Sequence, residues 1–119
     1  MYQDIKTFDD ACKALGITYT APVVPGATDD MVKAITAHHK LMIIAQALNG
    51  DWKPNWNDSN EWKYYPYFNM KNGFSFDCSG GRYRGSSVGS RLCFRSEEIA
   101  DYAGTQFLDL YKEYFTYQE

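Results

Sequence analysis

The chain has 119 residues, 45% of them apolar and 17% aromatic, and a net charge of −3. That length suits a single domain over residues 1–119, and an aromatic content this high excludes disorder for most of it. No apolar run approaches the roughly 20 residues of a membrane-spanning helix, and Met1–Lys6 lacks the basic start and apolar stretch of a secretory signal.

The first predicted element is a short helix. Thr7 is the N-cap, Asp9 and Asp10 fill the first turn where the helix dipole favours acids, and Gly16 closes it after Leu15. Phe8, Ala11, Cys12 and Leu15 make its apolar stripe. Residues 17–27 read as an extended linker, because Pro22 and Pro25 block a helix. A second helix starts at Thr28 and runs to about Leu48, stopping at Asn49-Gly50. Val32, Ile35, His39, Met42, Ile43 and Gln46 lie on one stripe, and Met31, Ala34, Leu41, Ala45 and Leu48 widen the apolar surface, so this helix is expected to be central to the core.

Residues 51–61, rich in Asn, Asp, Ser and Pro, read as a loop that Trp52 and Trp56 pin to the body. Two strands follow, 64–71 and 74–78, around Asn72-Gly73, a strong two-residue hairpin signal. Pro66 has no N–H to give a ladder, so the first strand is expected to be an edge there. After a Gly/Ser-rich connection over 79–90, Arg91–Arg95 alternates and reads as a third strand, with Leu92 and Phe94 on one face. Ser96 caps a last helix whose stripe is Ile99, Ala103, Phe107, Leu110 and Tyr114. Gly104 inside that helix costs about 1 kcal/mol against Ala, which a close helix–sheet approach would explain. The expected fold is α+β: a small three-stranded antiparallel sheet, a β-hairpin plus a third strand, packed with three helices in the order ααβββα.

Three cysteines, Cys12, Cys78 and Cys93, are too few and too scattered for a disulfide framework and imply a reducing, cytoplasmic setting. His38 and His39 are adjacent and so diverge by about 100° on a helix, which disfavours a shared metal site. No metal or cofactor is expected. Nor is catalysis: Ser86, Ser87, Ser90, Cys78 and Cys93 are conceivable nucleophiles, but no spacing ties them to a base.

Charge is unevenly spread. Residues 62–95 carry six Lys/Arg against Asp77 alone, while residues 1–61 sum to −3 and residues 96–119 to −5. Half of the twenty aromatics fall between Trp52 and Tyr83, overlapping the basic stretch. Alternation along the first strand sends part of them to the outer face beside cations. The candidate binding residues are Trp62, Tyr64, Tyr65, Tyr67, Arg82, Tyr83, Arg84 and Arg91.

Residues 64–68 (Tyr-Tyr-Pro-Tyr-Phe) and 88–115, which include Arg91-Leu92-Cys93-Phe94-Arg95-Ser96, resemble a recurring small module of gut Bacteroidetes and their phages. The resemblance covers about the C-terminal half. It implies an intracellular accessory protein, phage-encoded or virion-associated, in the host cytoplasm or the virion, and it carries no site residue.

The expected function is therefore a non-enzymatic interaction module whose basic aromatic sheet face binds an acidic protein surface, since Tyr, Trp and Arg dominate such interfaces. Single-stranded nucleic acid is the alternative partner for the same face, with bases stacked on the rings and cations on the phosphates. Self-association through an edge strand is the third possibility. No membrane partner is expected.

Overall fold

The computed structural model describes residues 1–70, 74–82 and 90–116, with the backbone alone for 78–82 and 90. It contains four α-helices, α1 (Phe8–Leu15), α2 (Asp29–Asn49), α3 (Glu97–Gln106) and α4 (Leu108–Thr116), and a two-stranded antiparallel sheet of β1 (Lys63–Asn69) and β2 (Ser75–Arg82). Short 3-10 turns occupy Tyr2–Asp4 and Ser90–Leu92.

The helix starts follow from their caps. Thr7 Oγ1 accepts the Asp10 N–H at 3.1 Å, and Asp10 Oδ2 accepts the N–H groups of Lys6 and Thr7 at 3.0 and 3.1 Å. These bonds, the Lys6 N–H first, hold the Asp10 pKa below the ordinary aspartate value. The carboxylate's contribution is therefore full at neutral pH and is lost only as pH falls through that lowered value. Thr28 and Ser96 cap α2 and α3 the same way, accepting from Met31 and Ile99. Gly16 ends α1 at φ 68°, a left-handed position that suits glycine.

The core lies between α2, α3 and the residues just before α3. Leu41, Ile44, Ala45 and Leu48 of α2 meet Leu92, Phe94, Ile99, Ala100, Ala103, Phe107 and Tyr111. α1 and α4 pack on α2, and α3 packs on the hairpin. The Tyr102 hydroxyl donates to the Ile5 carbonyl at 2.7 Å and ties the N-terminal segment to α3. Among the described residues no helix is long and apolar enough to cross a membrane.

Two expectations about architecture are corrected. The three-stranded sheet is a two-stranded one. Residues 91–95 form no strand: a 3-10 turn ends at Leu92, and a lone antiparallel bridge joins Tyr64 to Phe94 with N–O distances of 3.1 and 2.7 Å. The ladder stops at that bridge because the next hydrogen-bonded pair would be Pro66 with Leu92: Pro66 has no N–H to give, and Leu92 is already in the 3-10 turn. On the edge of the segment that faces away from β1, Asn49 Nδ2 donates to the Cys93 carbonyl at 2.8 Å and its Oδ1 accepts the Arg95 N–H at 3.1 Å, so a buried side-chain amide satisfies that backbone. Leu92, Cys93 and Phe94 are all buried, against the alternation of a strand.

The described residues form four helices, because the last predicted helix breaks at Phe107. That residue leaves helical geometry at φ −112° and ψ 31°, and its carbonyl accepts the N–H groups of Leu110 and Tyr111 to start α4. Phe107 and Tyr111, four residues apart, are both in the core.

The hairpin is antiparallel, from Lys63 opposite Arg82 to Tyr67 opposite Cys78. A bulge after Tyr67, with Asp77 as the extra residue, puts Phe68 opposite Phe76 and Asn69 opposite Ser75, one residue out of the register that a two-residue turn at 72–73 would set. The turn residues Asn72 and Gly73 themselves lie outside the described residues. Pro66 sits inside β1, and in a two-stranded sheet its missing N–H faces an open edge at no cost. Gly104 of α3 faces it. A Cβ on Gly104 would lie 2.7 Å from the Pro66 Cβ and 2.5 Å from the Phe76 Cδ1, so the close helix–sheet approach needs a residue without one.

Candidate functional site

α2 is apolar on more than one side, and its two apolar faces have different fates. The face of Leu41, Ala45 and Leu48 is fully in the core. The other carries His39, Met42, Ile43 and Gln46 and lines a groove of about 440 Å³, completed by Gly50, Trp52, Lys53, Pro54, Trp56 and Arg91. Ile43 is buried and Met42 half-buried, so they form the base, while Gln46, Lys53, Trp56 and Arg91 are exposed at the rim.

The tryptophan wall is a built feature. Within residues 55–61 the Asn55 and Asp58 side chains accept the N–H groups of Asn57 and Asn60, two Asx turns that fold the loop on itself. Glu61 Oε1 accepts the Asn55 N–H at 2.7 Å and closes it. Inside lies Lys63, its side chain 1% exposed, with Nζ 3.1 Å from Glu61 Oε1 and donating to the carbonyls of Glu61 and Asp58. A buried ammonium needs such partners, because water no longer solvates it. Its Nζ also sits 4.8 Å from the centre of the Trp56 ring, a cation–π contact. Lys63 therefore holds one side of Trp56 in place while Trp56 walls the groove.

Arg91 reaches the groove because residues 90–92 coil instead of extending: the 3-10 turn packs on α2. Arg95 does something different. Its Nη1 donates to the Asn49 carbonyl at 3.4 Å, a cation at the C-terminal end of α2 where the helix dipole favours one. Among the described residues the groove lining thus contains the cations Lys53 and Arg91 and no carboxylate. Among the described residues neither cation has an ion-pair partner.

The residues singled out from the sequence do not form one surface. Trp62 is exposed and stacks on the half-buried Tyr64 with ring centres 6.2 Å apart. Tyr64 packs against the core and makes the bridge to Phe94. Tyr65 is only 5% exposed, whereas Tyr67 is 56% exposed beside the bulge. Arg82 belongs to β2, but its side chain, like the whole of Tyr83 and Arg84, lies outside the described residues. Of the five whose side chains are described, Arg91 alone lines the groove.

Comparison of the chain with models of known families, with curated proteins and with solved structures finds no match. The site therefore stands on its own geometry. Trp52 and Trp56 were legible as loop anchors but not as groove walls, and the available signal was the second apolar face of α2.

The chemistry-bearing side chains elsewhere are engaged in packing. His38 lies against Tyr114 and His39 against Tyr19, with ring centres 4.9 and 5.3 Å apart. Cys12 and Cys93 are buried, and desolvation raises the Cys12 thiol pKa. Among the described residues no three His, Cys, Asp or Glu side chains gather as a metal site.

Proposed function

We propose that this protein is an interaction module that binds an acidic segment of a partner protein in the groove between α2 and the tryptophan loop. The observation that carries the reading is the composition of the described lining: two indoles over an apolar base, two cations at the rim, and no carboxylate among the described residues. An apolar wall excludes water and strengthens the attraction between the cations and an incoming carboxylate. The volume of about 440 Å³ falls within the range of ligand pockets. The binding face is thus moved from the sheet, where Tyr65 and Lys63 are buried, to the groove. The resemblance of residues 64–68 and 88–115 to the phage-associated module would place that partner in a phage or host complex.

A protein partner is favoured over single-stranded nucleic acid because, of the described cations of residues 62–95, Lys63 is paired inside the loop and Arg95 caps α2, while Arg91 joins Lys53 beside the apolar groove. Calorimetric titration with a glutamate–tyrosine copolymer is expected to show binding that weakens with salt and is lost in the double variant Lys53→Glu/Arg91→Glu with thermal unfolding unchanged. Absence of binding at low salt, or tighter binding of a thymidylate 20-mer, contradicts the proposal.

A further inference from the structure

Within that reading, on which this step rests, we infer that the groove recognises a specific local pattern: one bulky apolar side chain flanked by carboxylates in an extended segment. The apolar part follows from the base and walls. Ile43 and Met42 come from α2, Trp52, Pro54 and Trp56 from the loop after it, and together they offer a slot that a purely acidic chain would leave empty. Leaving it empty forgoes the apolar burial that gives most interfaces their affinity.

The acidic part follows from where the cations come from. Lys53 stands on the loop and Arg91 on the 3-10 turn before the Phe94 bridge, two different elements bordering the same groove. Carboxylates on both sides of the inserted side chain reach both cations, and Arg91 offers a planar fork suited to a carboxylate. The cavity, at about 440 Å³, has room for one large side chain and its neighbours but not for a docked helix.

The walls are set before anything binds. Trp56 rests on the Lys63 ammonium at 4.8 Å, and the loop behind it is closed by the Glu61–Asn55 hydrogen bond at 2.7 Å. A pre-formed wall loses little freedom on binding, so a short segment is enough for recognition.

The experiment compares three acetylated, amidated pentapeptides, Gly-Glu-Phe-Glu-Gly, Gly-Glu-Ala-Glu-Gly and Gly-Gln-Phe-Gln-Gly, by quenching of tryptophan fluorescence in the full chain. The first is expected to bind at least tenfold tighter than either of the others, and Met42→Ala is expected to weaken the two Phe peptides and leave the Ala peptide unchanged. Equal binding of the Phe and Ala peptides overturns the inference while leaving acid recognition in the groove intact. If none of the pentapeptides binds although the glutamate–tyrosine copolymer does, the pattern is again refuted. If the copolymer also fails, the groove reading itself falls.

Discussion

Replacing Asn49 by leucine is expected to cost about 3 kcal/mol, because a buried acceptor and a backbone donor lose their partner together. The Cys93 carbonyl is taken by Asn49 Nδ2 at 2.8 Å and the Arg95 N–H by Oδ1 at 3.1 Å, and Cys93 is fully buried. Leucine matches the amide in size but offers neither group. A loss of that size lowers Tm by on the order of 10–15 °C for a chain of this length. The variant should also bind acidic ligands more weakly, since residues 93–95 follow directly on the turn that carries Arg91. A Tm within about 2 °C of the parent, which for this size is well under 1 kcal/mol, would show that the segment is held by something other than Asn49.

Gly104→Ala has an expected sign opposite to helix propensity. In an exposed helix the change stabilises by about 1 kcal/mol. Here the new methyl would come within 2.5 and 2.7 Å of the Phe76 ring and 2.7 Å of the Pro66 Cβ. Overpacking of this kind costs roughly 1–3 kcal/mol, and the proline ring has little freedom to retreat. Denaturant unfolding should therefore show a net loss of up to about 2 kcal/mol once the propensity gain is subtracted. Combined with Phe76→Ala, the second substitution should cost less than it does alone, because it removes the obstructing ring. A rise in stability for Gly104→Ala would contradict the close packing of α3 on the hairpin.

Local chemistry was legible in the sequence and tertiary substitution was not. Thr7, Thr28 and Ser96 act as the caps they resemble, and the aromatic runs on either side of residues 71–73 pair as two antiparallel strands. Gly104 marks a contact, as its cost in a helix suggests. The third strand fails because Pro66, which would stand opposite Leu92, has no N–H to continue the ladder past the Tyr64–Phe94 bridge, and the alternation of Leu92 and Phe94 says nothing about that partner. The helix break at Phe107 has no signal in the sequence, since neither proline nor glycine stands there.

The site was half legible. Arg91 was named, and the stripe of His39, Met42, Ile43 and Gln46 was recognised as one face of α2. Its fate was misplaced, because a helix with two apolar faces does not declare which one the core takes. Lys63, one of the six cations of residues 62–95, lies inside the loop with Glu61 and beneath Trp56. The correction of the third strand builds the groove: coiling of residues 90–92 brings Arg91 to α2, and the Asn49 contacts hold the chain that follows it.

The three tryptophans give the most direct measurement. In an isotope-labelled sample, the indole N–H signals of Trp52 and Trp56 report the groove, and that of Trp62 reports the surface beside Tyr64. Titration with Gly-Glu-Phe-Glu-Gly or with the glutamate–tyrosine copolymer should move the Trp52 and Trp56 signals and leave Trp62 in place. Movement of Trp62 alone would return the binding surface to the hairpin and contradict the groove.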